Sequence, residues 1–178
     1  PYGCSKGAAD QYILDYVRTF GLKGAVFRHS TMYGDRQYAT FDQGWIGWFC
    51  DRALLTKKEP KTTFTIAGDG KQVRDILHSR DAVELYFKAT EQIDKINGRA
   101  FNIGGGVKNS LSLRELFLWL EKRLNVKLQP QPKEWRMGDQ RVFIANSDEL
   151  NTLIDWSPQV SVDEGLELMV TWIENLSS

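Results

Sequence analysis

Cysteine is scarce in this sequence: Cys4 and Cys50 are its only two. That is too few for a disulfide scaffold, and their spacing is not that of a metal site. Reduced thiols in a cytoplasmic protein are the expectation. Histidine is equally rare, and neither His29 nor His78 has partners at ligand spacing, so no metal site is expected. Net charge is missing too, because 23 Lys and Arg are matched by 23 Asp and Glu. This argues against a strongly basic nucleic-acid domain and against a polybasic membrane binder. No apolar run approaches the roughly 18 residues that a spanning helix needs, and no charged-then-apolar leader opens the chain. Nucleic acid and membrane are therefore not expected partners. The chain begins Pro1-Tyr2-Gly3, without Met, straight into a helical pattern. We expect the C-terminal part of a longer protein.

What is present is a globular balance: 178 residues, 42% apolar and 26% charged, enough to build a core. Ala8, Tyr12, Ile13, Tyr16 and Phe20 recur at helical spacing and predict a helix over 5–20, ended by Gly21. Residues 24–29 read as a strand and 30–41 as a loop. A helix is expected over 43–55, with short strands at 64–66 and 73–77. Ser79 is the expected cap of a helix reaching about Glu91, with Asp81 in its first turn. A strand follows at 100–103, and Ser112-Leu-Arg-Glu115 is a capping box opening a helix to about Leu124. Val126 to Leu128 reads as a strand and Gln129-Pro-Gln-Pro132 as a rigid linker. Short helical patterns begin at Ser147 and at the second capping box, Ser161-Val-Asp-Glu164. Helix and strand alternate, which is an α/β texture, and it becomes irregular beyond residue 30.

Four constellations could carry chemistry. Tyr2 and Lys6 stand four apart, on one face of a helix. A free phenol has a pKa of about 10, too high for a base at neutral pH, but a nearby ammonium favours the phenolate. Such a pair can move a proton to or from a substrate hydroxyl while hydride leaves the carbon. The alternative is a surface Tyr beside a solvated Lys. Gly68-Asp-Gly-Lys-Gln-Val-Arg74-Asp75 offers a guanidinium fork of the kind that matches phosphate oxygens, or else a surface Arg–Asp pair. Arg136-Met-Gly-Asp139-Gln-Arg141 adds charges of both signs, with a solvated loop as the alternative and Arg141 as a salt-bridge residue. Phe64-Thr-Ile66-Ala-Gly68 is an apolar strand edge. Gly104-Gly-Gly106 lacks the Gly-x-Gly-x-x-Gly order and reads as a turn. His78 reads as a structural strand-end residue. Trp45 and Trp48 are the tryptophans suited to a substrate wall; the others read as core.

Tyr2-Gly-x-Ser-Lys6 opening a helix, then a strand ending in Arg28, then Tyr33-Gly34, resembles the extended short-chain dehydrogenase/reductase superfamily of nucleotide-sugar epimerases and dehydratases. The stretch Phe27-Arg28-His29-Ser30-Thr31-Met32-Tyr33-Gly34-Asp35 is similar to that family's Leu-Arg-x-x-Asn-x-Tyr-Gly-Pro, with Thr31 replacing the Asn and Asp35 the Pro. Pro1 to Tyr12, Asp42-Gln43-Gly44-Trp45-Ile-Gly-Trp48-Phe49-Cys50 and Asp139-Gln-Arg-Val-Phe143 resemble a branch that acts on CDP-linked deoxysugars. The likeness spans nearly the whole chain but only the second half of the family's enzymes.

The resemblance implies a fold and a site. Residues 1–30 would be the last part of a Rossmann-like parallel-sheet, NAD-binding domain. Residues 31–178 would form a small mixed α/β nucleotide-sugar-binding lobe, with some segments returning to the sheet. Tyr2 and Lys6 would be catalytic and, with His29 and Ser30, would contact NAD. Thr31, Gln43, Ile66, Arg74, Arg136 and Asp139 would bind substrate, the two arginines at the diphosphate, Asp139 at the ribose and the Ile66 strand against the base. The implied reaction inverts carbon 2 of a CDP-sugar by transient oxidation to a ketone. A UDP- or dTDP-sugar 4-epimerase or 4,6-dehydratase is the alternative within the family, and a binding-only fragment the alternative outside it. The full-length enzyme would be a homo-oligomer. The 178 residues alone would be inactive and hold NAD weakly, because the dinucleotide-binding glycine loop would lie upstream, and their first helix would expose an apolar face.

Overall fold

The computed structural model describes residues 1–41 and 43–176, so Asp42 of the aromatic segment lies outside the described residues. In chain order its first elements are α1 (Tyr2–Phe20), β1 (Val26–His29), β2 (Thr31–Tyr33), α2 (Trp45–Lys58), β3 (Phe64–Ala67) and β4 (Val73–His78). Then come α3 (Ser79–Glu91), α4 (Ile93–Ile96), β5 (Ala100–Ile103), β6 (Ser110–Ser112) and α5 (Leu113–Leu124). The last are β7 (Pro130–Lys133), β8 (Val142–Phe143), α6 (Asp148–Ile154) and α7 (Val162–Leu176).

Helix α1 ends where Gly21, at a φ of 66°, turns its N–H back to the Val17 carbonyl. None of its residues is buried, and Tyr12, Tyr16 and Phe20 stand exposed along it, the open apolar face that the sequence leads one to expect. An ion pair from Asp10 to Arg28, at 2.5 Å, ties the helix to β1.

Strand β1 pairs in parallel with β5, Val26 opposite Ala100 and His29 opposite Ile103. Parallel neighbours need a long crossover, and the chain between them supplies one that ends in α3 and α4. A first core gathers under this pair, with Leu77, Leu85, Ile96, Phe101 and Ile103 meeting Leu150, Ile154 and Trp156. Strand β4 is the centre of a second sheet. It pairs in parallel with β2 (Tyr33 opposite His78) and with β8, and antiparallel with β6. A second core lies between α2, α5 and α7 and includes Ile46, Phe49, Leu116, Leu120, Leu166 and Met169. Strand β3 pairs with β7 alone among the described strands. The mixed α/β class with parallel pairings is as expected from sequence. No helix among the described residues is long and apolar enough to cross a membrane.

Four local expectations need correction. Residues 31–33, expected as loop, form β2, which exists only through its pairing with the far half of β4. Helix α3 is capped by His78 rather than Ser79, its Nδ1 accepting from the Arg80 N–H at 3.3 Å. Residues 126–128 form no strand: the Leu128 N–H is taken by the Glu121 carboxyl at 2.8 Å. The expected linker instead holds the strand β7, Pro130 opposite Phe64 and Pro132 opposite Ile66. Alternate residues of a strand turn their backbone groups to opposite sides, so two prolines spaced by two can both face away from the single partner strand. The capping box at Ser112 is complete, with both reciprocal bonds present.

Asp75 joins the two sheets. It is fully buried, and its carboxyl accepts from the Ser30 hydroxyl and from the N–H groups of Gly106 and Ala145, each of the latter at 3.1 Å. The glycine triplet serves this junction. A Cβ at Gly104 would stand 1.9 Å from the Asp75 Oδ2, and one at Gly105 would stand 2.1 Å from the Ile76 carbonyl. The expected turn is present; its first two glycines are set by close packing onto β4, and the third, Gly106, by a φ of 71°.

Candidate functional site

A cavity of about 490 Å³ opens between β3, β4, α2 and the loop that joins β7 to β8. Trp45, Trp48 and Phe49 from α2 and Phe41 before it make an aromatic wall. Thr65, Ile66 and Ala67 bring the β3 edge, and Arg74, Arg136 and Asp139 bring charge. Lys133, Glu134 and Gln72 complete the polar side. Local rules put these groups there. Alternation along β4 sends Asp75 inward to the sheet junction and Arg74 to the opposite face. Within the loop the Asp139 N–H bonds the Arg136 carbonyl at 3.1 Å, and Gly138 holds a φ of 76° between them. Glycine at positive φ in the third place is what a type II turn requires. One β-turn therefore presents both Arg136 and Asp139.

Four expected substrate residues, Ile66, Arg74, Arg136 and Asp139, thus share one cavity. The pairing inside it differs from either reading of the sequence. Arg74 does not pair with its neighbour Asp75; its Nη2 donates to the Asp139 Oδ1 at 2.8 Å and its Nη1 to the Val73 carbonyl. Arg141 makes no ion pair among the described residues and lies over the Trp135 ring, its guanidinium carbon 5.5 Å from the centroid. Thr31 is one step removed from the cavity: its hydroxyl accepts from the Trp45 indole N–H at 3.3 Å. The backbone of Gln43 bonds Thr40 in both directions, and its exposed side chain is not among the cavity walls.

Tyr2 and Lys6 lie together but outside this cavity. The Lys6 ammonium is 5.6 Å from the Tyr2 ring centroid, and the Tyr2 side chain is exposed. No hydrogen bond or ion pair among the described residues links His29 or Ser30 to them. The Ser30 hydroxyl is committed to Asp75. The His29 Nε2 shares a 2.8 Å hydrogen bond with the Tyr86 hydroxyl, while its Nδ1 is buried without a partner. Burial lowers the His29 pKa below the ordinary imidazole value and keeps the ring neutral at pH 7. His78 is lowered by burial as well, with Asp35 acting in the opposite sense. Burial raises the Cys50 thiol to about 12, which leaves it unreactive. Sequence reasoning missed Phe41, Gln72, Lys133 and Glu134. The last two adjoin the Arg136 motif, which was their one available signal.

The model of the NAD dependent epimerase/dehydratase family matches residues 1–104, more than half of the sequence, and the chain belongs to that family. Over 176 residues it is 54% identical to CDP-paratose 2-epimerase of Salmonella typhi, an alignment covering 99% of this chain and 52% of that protein. Among solved structures, UDP-glucose 4-epimerase of Thermotoga maritima with UDP-glucose matches at a TM-score of 0.88 and 31% identity, over 100% of this chain and 54% of that one. UDP-glucuronic acid 4-epimerase of Bacillus cereus, in complex with UDP-glucuronic acid and NAD, matches at a TM-score of 0.86 and 27% identity, over 99% of this chain and 53% of that one. The chain spans about half the length of the relatives it matches.

Proposed function

We propose that this chain is the substrate-binding half of an NAD-dependent nucleotide-sugar epimerase that inverts carbon 2 of a CDP-linked deoxysugar. The observation that carries the reading is the convergence of Arg74, Arg136 and Asp139, from two distant segments, on one cavity walled by aromatic rings and by the β3 edge. A diphosphate suits the two guanidinium groups. A pyrimidine suits the β3 backbone of Thr65 to Ala67 and the Trp45 and Trp48 wall. The 54% identity to CDP-paratose 2-epimerase supports the choice of CDP and of carbon 2.

The residues at the head of α1 fit NAD at its nicotinamide-ribose end. Lys6 offers three N–H donors and makes no ion pair among the described residues, and Tyr2 offers a hydroxyl on the same face. NAD, when bound, supplies the acceptor and donor of hydride. Tyr2 takes the proton of the sugar hydroxyl and returns it when the ketone is reduced. Lys6 holds the ribose. Arg74 and Arg136 fix the diphosphate while the sugar turns its other face, so binding energy remote from the reacting carbon positions it. In this reading residues 1–30 belong to the cofactor domain, together with β5, which returns beside β1. The remainder of 31–178 forms the substrate lobe.

Product analysis on the full-length protein tests the reading, with CDP-, UDP- and dTDP-sugars offered in turn. Inversion at carbon 2 of a CDP-sugar is expected; inversion at carbon 4, or loss of water, would replace it. The binding half of the reading is tested by Arg74→Ala. It is expected to weaken CDP by about 2–4 kcal/mol, the scale for removing one partner of a desolvated charge pair. Arg74→Lys should recover only part, because an ammonium cannot reproduce the fork. Calorimetric titration with CDP reads both, and unchanged affinity in the Ala variant would make Arg74 a purely structural residue.

A further inference from the structure

The loop from Glu134 to Gln140 carries three of the charged groups of the cavity, Glu134, Arg136 and Asp139, yet all of its residues except Asp139 are exposed, Met137 completely. A segment with so little burial gains little from packing and samples many conformations unless something fixes its ends. Here both ends are fixed on one indole. At the start of the loop the Trp135 ring lies flat against Gly68. A Cβ built on Gly68 would meet three ring atoms at 2.6–2.8 Å, so only glycine admits the ring. Gly68 is itself tied down, since its N–H donates to the Lys133 carbonyl at 3.0 Å and continues the β3–β7 ladder. Just past the end of the loop, the Arg141 guanidinium lies over the same ring. The Arg141 carbonyl accepts from the Val73 N–H at 2.9 Å, beside Arg74. An indole is the side chain best suited to this double contact, with a large apolar face for Gly68 and the strongest π-face for a guanidinium. Trp135 is not one of the cavity walls.

We infer that Trp135, held between Gly68 and Arg141, is a positioning residue that closes this loop and sets where Arg136 and Asp139 stand over the cavity. Its contribution to binding a nucleoside diphosphate runs through those two residues, and that part of the inference rests on the nucleotide-sugar reading above. Trp135→Phe keeps a flat ring on Gly68 and a π-face under Arg141. Trp135→Ala removes both. Arg141→Ala, at an exposed position, removes only the second contact and guards against a Trp135 variant that fails to fold.

Two readouts on the full-length protein test this. The first needs no ligand: trypsin cleavage after Arg136, which reports how often the loop opens. The Trp135→Ala protein should be cut there about tenfold faster, with Arg141→Ala intermediate and Trp135→Phe near wild type. The thermal midpoint should move by no more than about 2 °C, as expected of a local change. The second readout is CDP affinity with steady-state kinetics. In Trp135→Ala the CDP dissociation constant and KM should each rise about tenfold while kcat stays within about twofold, the split expected when positioning of a bound group is lost. Unchanged cleavage in both Trp135→Ala and Arg141→Ala would overturn the inference. So would faster cleavage with unaltered CDP affinity. A wild-type protein that ignores CDP would refute the nucleotide-sugar reading instead, and the cleavage rates would still decide the role of Trp135.

Discussion

Turnover of the full-length protein should fall by about 10²–10⁴-fold when Tyr2 is replaced by Phe, the range for removing a positioned proton-transfer group. Phenylalanine keeps the ring beside the Lys6 ammonium and deletes only the hydroxyl, so the head of α1 has no reason to rearrange. Affinity for CDP should be unaffected, because Tyr2 is not among the walls of the cavity that holds Arg74 and Arg136. The combination is diagnostic: a loss confined to kcat means an interaction made during the chemical step. Steady-state rates and CDP titration on the same preparation check it. A variant keeping a third or more of wild-type kcat would remove Tyr2 from the chemistry, and the Tyr-x-x-x-Lys spacing would then be a surface coincidence.

How much of this was legible in the sequence depends on how local each signal is. The α5 cap was readable because both halves of the box, Ser112 and Glu115, lie within one turn. Strand β2 was not, because its three residues carry no period and gain their shape from β4, far along the chain. The strand β7 was hidden by its two prolines, which exclude a central strand but not an edge one. The same division runs through the candidate site. Family-like motifs pointed to Ile66, Arg74, Arg136 and Asp139, and these line one cavity. The Arg74–Asp139 ion pair, between residues 65 apart, was not predictable from either motif alone. Nor was the place of Trp135, because its partner Gly68 reads in sequence only as a turn glycine. The partners of Tyr2 and Lys6 are the least defined of all, since both side chains stand exposed at the head of a helix none of whose residues is buried.

Asp75→Ala should cost about 3–5 kcal/mol of stability, among the largest losses a single side chain can cause here. The residue is fully buried, and its carboxyl satisfies three donors from three separate segments: the Ser30 hydroxyl and the N–H groups of Gly106 and Ala145. Alanine leaves the two N–H groups without an acceptor in a place where Gly104 and Gly105 pack too closely for the backbone to shift toward water. The isosteric change behaves differently. In Asp75→Asn the amide oxygen can still take both N–H groups, while its NH₂ turns to Ser30. The Ser30 hydroxyl can accept that bond and give its own proton to the Asp75 carbonyl, 3.1 Å away. Both backbone N–H groups and the Ser30 hydroxyl are then met and a single amide N–H is left over, so the expected loss is only about 1–2 kcal/mol. Urea unfolding of the full-length protein separates the two variants by their midpoints at constant slope. Equal losses in Ala and Asn would mean that the carboxyl's charge, and not its hydrogen-bond geometry, holds the junction. A loss below about 1 kcal/mol in Ala would mean that the junction can repack. Because Arg74 is the next residue along β4, the Ala variant should also bind CDP more weakly, whereas the Asn variant should not. That difference would tie the buried junction to the cavity on the other face of the strand.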